Sequence, residues 1–218
     1  MAGGEDRMRF AEVETLQDLS TYVARARTVD ADGAIRLQAQ GGVLAAWVQV
    51  LPGQGMLGAG LVLGLRVMTL AGDHALDATV PLAAISDRLA RRHSIGDVSA
   101  ELAVPPMRVS PAWAAISPPR SGWEVAGEVT GEVLMAAARD GVEAVAQGTP
   151  DGAGGAAVAT LRQRVWGQKL SADPGAPPAG MAFAAYALAF AVPGERGSVL
   201  TAGSWTRLRL TNGDVLAR

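Results

Sequence analysis

The chain has 218 residues, of which 49% are hydrophobic and 18% charged, with no cysteine and a formal net charge of -2. This length suits one large domain or two small ones with a full hydrophobic core. The lack of cysteine excludes a disulfide, a thiolate nucleophile and a Cys-ligated metal centre. The small net charge gives no general attraction to nucleic acid or to anionic lipid.

The N-terminal half predicts a helix and then an antiparallel meander of strands. Leu16, Leu19 and Val23 recur at helical spacing within residues 15–27. Gly41-Gly42 separates an alternating run from an apolar run, which is typical of two strands joined by a tight turn. The predicted strands are residues 34–40, 43–51 and 60–71.

A second helix is predicted to begin at Pro81, because proline suits a first helical turn. Residues 97–104 alternate and predict a short strand. The proline-rich stretch 105–122 predicts a crossing or a linker rather than a regular element. We therefore expect one α+β domain over residues 1–218, with a sub-division near 105–122 as the alternative.

The C-terminal half predicts three consecutive helices followed by strands. Thr130 is the expected N-cap of the first helix and Gly148 its end. The other two helices are predicted over residues 155–169 and 179–191, and a strand over 198–202. Asn212-Gly213 follows an alternating segment and predicts the turn of a C-terminal β-hairpin. The expected fold is α+β, with an antiparallel sheet packed against several helices.

The stretch LPGQGMLGAG at residues 51–60 contains a G-x-G-x-x-G formed by Gly53, Gly55 and Gly58. A dinucleotide site needs such a loop to enter a helix directly, so that the helix N-terminus faces the pyrophosphate. The residues that follow are rich in glycine and β-branched side chains and favour a strand. We therefore interpret the three glycines as a chain reversal, reject them as a cofactor site and expect no cofactor.

A short polar cluster offers the main candidates for chemistry. Asp73, His74 and Asp77 place one imidazole and two carboxylates within five residues, a set that could bind a divalent metal or transfer protons. Arg66 is the fourth candidate for a catalytic residue. The alternative is a polar loop after a strand, and the spacing matches no specific metal-ligand pattern, so no metal is expected.

Two further features concern partners. Arg88, Arg91, Arg92 and His93 form a basic end of the helix that begins at Pro81; they could hold a phosphate or a partner's acids, or they complement the helix dipole. The order of helices and strands over residues 130–218 is similar to a winged helix. Its third helix lacks Arg, Lys, Asn and Gln, so nucleic-acid binding by the C-terminal part is kept only as a lesser alternative.

Apolar runs do not reach the length of a membrane span, and the N-terminus lacks an apolar signal segment, so a cytoplasmic location is expected. No set of residues meets the requirements of a reaction class. The leading hypothesis is a soluble, non-enzymatic domain that acts through self-association or by binding a protein partner. The alternative is an enzyme or small-molecule binder with a pocket between sheet and helices.

Overall fold

A computed structural model describes residues 6–55, 57–149, 152, 154–173 and 175–218 of the chain. Met56, within the glycine-rich stretch, lies outside the described residues. Residues 1–5 also lie outside them, and the prediction about an N-terminal signal segment partly concerns those residues.

The predicted α+β fold with an antiparallel sheet is confirmed. The helices are α1 (Val13–Val29), α2 (Leu82–Ser94), α3 (Gly131–Gln147), α4 (Gly155–Trp166) and α5 (Ala179–Ala187). The strands are β1 (Arg7–Arg9), β2 (Ala34–Leu51), β3 (Val62–Pro81), β4 (Glu101–Ala103), β5 (Glu124–Thr130), β6 (Arg196–Ala202), β7 (Trp205–Leu210) and β8 (Gly213–Ala217). β1 pairs with β4, and the other strands form a six-stranded sheet in the order β2-β3-β8-β7-β6-β5.

The chain separates into two compact units. The first contains the described residues up to Gln49 together with Leu65–Ala115, and the second contains Val50–Gly64 and Ile116–Arg218. The long strands β2 and β3 therefore contribute residues to both units, and the proline-rich stretch divides between Ala115 and Ile116.

β2 is one strand of 18 residues that runs through Gly41 and Gly42, where the sequence predicted a turn between two strands. Odd-numbered side chains are buried before the glycines, and even-numbered ones after them. Gly41 has a φ of 57°, in the left-handed region that glycine adopts without strain. The buried side thus shifts by one residue at the glycines while the strand continues.

The first unit also contains the two helices that were predicted before residue 105. α1 buries Leu16, Leu19 and Val23 as predicted, and the hydroxyl of its Tyr22 donates to the carbonyl oxygen of Ala46 on β2 at 3.3 Å. α2 follows β3 directly, with Pro81 as its N-cap. The three-residue strand β1 was not predicted, because so short a segment is stabilised only by its pairing with β4.

The proline-rich stretch packs onto the first unit as far as Ala115. Val104 and Pro105 are buried, the amide of Val109 donates to the carbonyl of Thr79 at 2.9 Å, and Trp113 is buried within a 3-10 turn. This part of the stretch is therefore ordered structure rather than a free linker.

The second unit confirms the helix predicted after Thr130. The Thr130 hydroxyl accepts a hydrogen bond from the amide of Val133, and Gly148 is the C-cap of α3. The preceding residues form β5, so Glu124 and Glu128 lie on a strand. α4 ends at Trp166 and α5 at Ala187, both a little earlier than predicted.

The predicted C-terminal hairpin is present, but its turn lies one residue earlier. Leu210 pairs with Gly213, so the two turn residues are Thr211 and Asn212. A Cβ at Gly213 would lie 2.6 Å from the ring of Phe190. Gly213 is therefore needed for close packing against an aromatic ring, and not as a turn residue.

Candidate functional site

The predicted catalytic candidates all lie on β3, which continues through Pro81 and does not end at residue 71 as predicted. Asp73, His74 and Asp77 are thus strand residues and do not form the polar loop that was the alternative interpretation. Arg66 donates to Asp18 at 2.8 Å, and the Nε2 atom of His74 lies 3.2 Å from the carbonyl oxygen of Ala71.

Asp77 is the best-connected of these candidates. Its two carboxylate oxygens accept hydrogen bonds from Nε and Nη2 of Arg36 at 2.8 and 2.7 Å, and Gln38 adds a third at 3.1 Å. The Arg36 hydrogen bonds hold the pKa of Asp77 below its usual value. A carboxylate held by a bidentate arginine links two strands and is a poor proton acceptor.

Arg66, His74 and Asp77 contact different partners, and the four candidates form no shared site in the described part of the chain. Among the described residues, no three His, Asp or Glu side chains are grouped closely enough to hold a metal ion. The sequence cluster therefore reflects neighbours along one strand, where successive side chains point to opposite faces.

The glycine motif reverses the chain. Gln54 and Ala59 exchange both backbone hydrogen bonds, at 2.8 and 2.9 Å, in an antiparallel bridge. Gly55 and Gly58 have φ values of 62° and 67°, which only glycine adopts freely. The motif leads into β3 rather than a helix, so the helix N-terminus of a dinucleotide site is not formed here.

A cavity of about 400 Å³ lies within the first unit, at the turn between α1 and β2. Its polar lining comes from Asp30, Asp32, Gln49 and Ser110, and Trp113 forms an apolar wall. The two aspartates could not be identified from the sequence, because the lining joins segments far apart in the chain. Carboxylates beside an indole are chemically suited to a cationic group.

The solvent-exposed face of α2 carries an opposite-charge pattern. The buried residues Leu82 and Ile85 define the inner face. The outer face presents, at helical spacing, the residues Ala83, Asp87, Ala90, Arg91 and Ser94, of which all but Ala83 are exposed. In the part of the chain that the structure describes, neither Asp87 nor Arg91 forms an ion pair.

The predicted basic end of α2 divides into two roles. Arg92 turns back onto the loop of residues 95–99: its Nη1 donates to Oδ2 of Asp97 at 2.5 Å and to Oγ of Ser99 at 3.1 Å, and its Nη2 donates to the Ser99 carbonyl. Arg91 and His93 stay exposed. The sequence could not separate them, because helical spacing alone does not show which of these side chains the following loop contacts.

The loop that Arg92 holds displays two branched apolar side chains. Ile95 is 69% exposed and Val98 is 85% exposed. The Asp97 carboxylate also accepts from the amide of Ser99 at 2.8 Å, and the Ser99 contacts hold the pKa of Asp97 below its usual value. A loop with this many internal hydrogen bonds presents Ile95 and Val98 at low entropic cost, as interface residues require.

Two other sequence interpretations concern partners. α5, the helix that would read DNA in a winged helix, buries Met181, Ala182, Ala184 and Ala185, so its apolar face is core. Among the described helices, none is long and apolar enough to cross a membrane.

Two family models match the chain, one over each half. Residues 4–115 match a domain of unknown function (DUF8010), and residues 118–218 match a second domain of unknown function (DUF8185). No curated protein sequence matches the chain. The boundary between the two matches lies next to the division between Ala115 and Ile116.

Proposed function

The chain belongs to the family described as a domain of unknown function (DUF8010), and we propose that it is a non-enzymatic domain that self-associates through α2. The observation that carries this proposal is that Asp87 and Arg91, on the exposed face of that helix next to the exposed Ile95, form no ion pair with any described residue. The surface is self-complementary in charge, which is what contact between two copies requires.

A two-fold contact places two α2 helices antiparallel, so that each residue of one copy faces a symmetry-related position of the other. With the axis midway between Asp87 and Arg91, Asp87 faces Arg91 of the second copy and Arg91 faces its Asp87. Both ion pairs form at once. Ala90 lies between them, and its small side chain permits close helix approach.

The same arrangement buries apolar surface at both ends of the contact. The branched side chain of Ile95, which is 69% exposed in the single chain, is thereby covered by a helix face of small residues. The apolar burial supplies affinity, and the paired charges fix the register.

Charge exchange tests this proposal directly. Asp87→Arg places two arginines opposite each other at each end of the contact, and Arg91→Asp does the same with two aspartates. The dissociation constant of each variant's dimer should be about 5- to 30-fold higher than that of the wild type. This corresponds to ~1 to 2 kcal/mol for the loss of two exposed ion pairs. Mixing the two variants restores both ion pairs and should restore the dimer, measured by sedimentation velocity and light scattering.

The control is Arg139→Asp, a charge reversal on another helix, which should leave the mass unchanged. Ile95→Asp should weaken association without altering the charge pattern of α2. A wild-type chain that stays monomeric at high concentration contradicts the proposal. So does a mixture of the two charge variants that associates no better than either alone.

A second candidate function is the binding of a small cation in the cavity of the first unit. It is supported by the volume of about 400 Å³ with Asp30, Asp32 and Trp113 in its lining. A thermal-shift comparison of spermidine, arginine and citrate tests it. The two cations should raise the melting temperature of the wild type but not of Asp30→Asn/Asp32→Asn, and citrate should raise neither.

A further inference from the structure

A groove of about 420 Å³ runs beside β5 in the second unit. One wall is formed by the five consecutive β5 residues 126–130. The opposite wall is formed by Leu170, Ser171, Asp173 and residues 175–177, and Val133, Arg196 and Val199 complete the lining. β5 is the last strand in the sheet order, so the groove lies along a sheet edge.

The backbone of β5 is paired on one side only. Its hydrogen-bonded neighbour is β6, from Glu124 opposite Thr201 to Thr130 opposite Arg196. The described residues of segment 169–178 make no backbone hydrogen bond to β5. The groove side of β5 therefore offers strand-edge N–H and C=O groups of the kind that pair with an added strand.

The segment opposite β5 satisfies its own polar groups. Lys169 and Pro178 form an antiparallel bridge, and the amide of Leu170 donates to the carbonyl of Pro177 at 3.0 Å. The Lys169 ammonium donates to the carbonyl of Ala176 at 2.7 Å. These bonds make the segment a formed wall that stands beside the strand without pairing with it.

The groove closes at one end. A Cβ at Gly175 would lie 2.6 Å from the carbonyl oxygen of Ala126, so the two walls meet at these residues. From there the groove extends along β5 towards Thr130 and the first turn of α3, where Val133 is 47% exposed. An extended chain can enter from this open end.

The side chains of the groove combine apolar and acidic groups. Valine and leucine side chains line its floor, and the charged groups are Glu128, Asp173 and Arg196. Arg196 lies 3.3 Å from Glu128 and compensates it. Asp173 accepts only a hydrogen bond from Ser171 at 3.0 Å among the described polar side chains, so the remaining charge in the groove is negative.

We propose that this groove binds an extended peptide segment of a partner protein as an added strand beside β5, with β-branched residues alternating with Lys or Arg. Backbone pairing with β5 supplies affinity, and alternate side chains supply specificity. The apolar side chains of the peptide face Val133 and the floor, while its cations face Asp173. The site is independent of the α2 surface and lies in the other unit.

The proposal is tested with defined synthetic peptides and the full chain. The probe is a capped peptide of alternating valine and lysine, compared with alternating valine and glutamate and with a valine-lysine peptide that carries N-methyl groups on alternate backbone nitrogens. The unmodified valine-lysine peptide should bind and slow hydrogen exchange of the amides in residues 126–130. Both control peptides should bind at least about tenfold more weakly.

Matched variants of α3 locate the site. Val133→Arg adds a cation in the groove and should weaken binding about tenfold, whereas Val142→Arg, at a valine of equal exposure (46%) that does not line the groove, should not. No binding, or equal binding by the N-methylated peptide, overturns the proposal. Self-association that Val133→Arg removes and Asp87→Arg leaves intact would instead place a second copy in the groove and also overturn it.

Discussion

The guanidinium of Arg207 and the carboxylate of Asp214 form two parallel hydrogen bonds across the C-terminal hairpin, Nε to Oδ1 and Nη2 to Oδ2, each 2.8 Å long. Asp214 is the buried charged residue of the described core, and the ring of Trp123 lies 5.9 Å from the Arg207 guanidinium carbon. The pair thus joins β7 to β8 and links them to the segment before β5.

Removing one partner of this pair leaves the other without its counter-charge. Asp214→Ala should lower the free energy of unfolding by about 2 to 4 kcal/mol, near the lower end for buried pairs because Arg207 keeps some solvent contact. Arg209→Ala is the control, since Arg209 is exposed and its Nε lies 4.0 Å from Asp214. Denaturant unfolding measures both, and equal losses would contradict a special role for Arg207.

A glycine in the middle of α3 gives the second prediction. A Cβ at Gly141 would lie 2.2 Å from Cζ3 of Trp166, which in turn stacks on Phe183 with ring centroids 4.6 Å apart. Alanine usually stabilises a helix interior relative to glycine by roughly 0.5 to 1 kcal/mol. Here we expect Gly141→Ala to destabilise by about 1 to 3 kcal/mol, because the indole must move.

Gly155 in the first turn of α4 is the matched control for this substitution. A Cβ there would meet no atom within 4 Å, so Gly155→Ala should leave stability unchanged or raise it slightly. Thermal unfolding compares the two variants. A stabilised Gly141→Ala chain would show that Trp166 does not pack against α3 in this way.

The elements that the sequence predicted best are those whose ends are determined locally. The N-cap of α3 needs only the Thr130 hydroxyl and the amide of Val133, and its end needs only Gly148. The chain reversal between Gln54 and Ala59 likewise depends on nearby glycines with positive φ. Local chemistry of this kind can be read from a single sequence.

The elements that were predicted incorrectly depend on distant contacts. The turn of the C-terminal hairpin lies before Gly213, and this glycine instead packs against Phe190, which occupies the space of a side chain there. β3 continues past residue 71 although its residues are polar, since Asp77 is paired with Arg36 on β2. The α2 surface was partly predictable, because helical spacing exposes Arg91, but the loop that captures Arg92 was not.

Tyr22 gives a prediction about alkaline pH. Burial raises the pKa of its phenol well above the usual value, and the opposing effect of the Arg66 charge is smaller. A raised pKa means that the stability due to the neutral phenol is fully present below the unfolded-state pKa of about 10 and is lost as pH rises beyond it. Tyr22→Phe should therefore remove part of the alkaline loss of stability, as measured by denaturant unfolding at a series of pH values.

The neutral-pH cost of the same substitution should be small. The lost hydrogen bond to the Ala46 carbonyl is 3.3 Å long, which corresponds to about 0.5 to 1.5 kcal/mol. Tyr186→Phe, at a half-exposed tyrosine of α5, is the matched control for the loss of a phenol hydroxyl elsewhere in the chain. An identical alkaline profile for wild type and Tyr22→Phe would contradict a buried neutral phenol.

Arg92 connects the order of the 95–99 loop to the proposed contact surface. Its side chain donates to Asp97 and Ser99, so Arg92→Ala removes these side-chain hydrogen bonds and leaves the loop held to α2 by backbone hydrogen bonds such as that from the Asp97 amide to the Arg92 carbonyl. We expect faster hydrogen exchange at the amides of Asp97 and Ser99. The charges of Asp87 and Arg91 are not changed, so α2 keeps its charge pattern, while the loop that begins at Ile95 becomes less ordered.

Self-association of Arg92→Ala should therefore be weaker than that of the wild type but should still respond to the exchange of charges between Asp87 and Arg91. The dissociation constant should rise about three- to tenfold, because a few side chains must then be ordered when the two copies bind. Arg88→Ala on the same helix is the comparison for a lost positive charge, with sedimentation velocity as the measurement. Loop amides that exchange as slowly in Arg92→Ala as in the wild type would show that the loop is held by contacts other than this arginine.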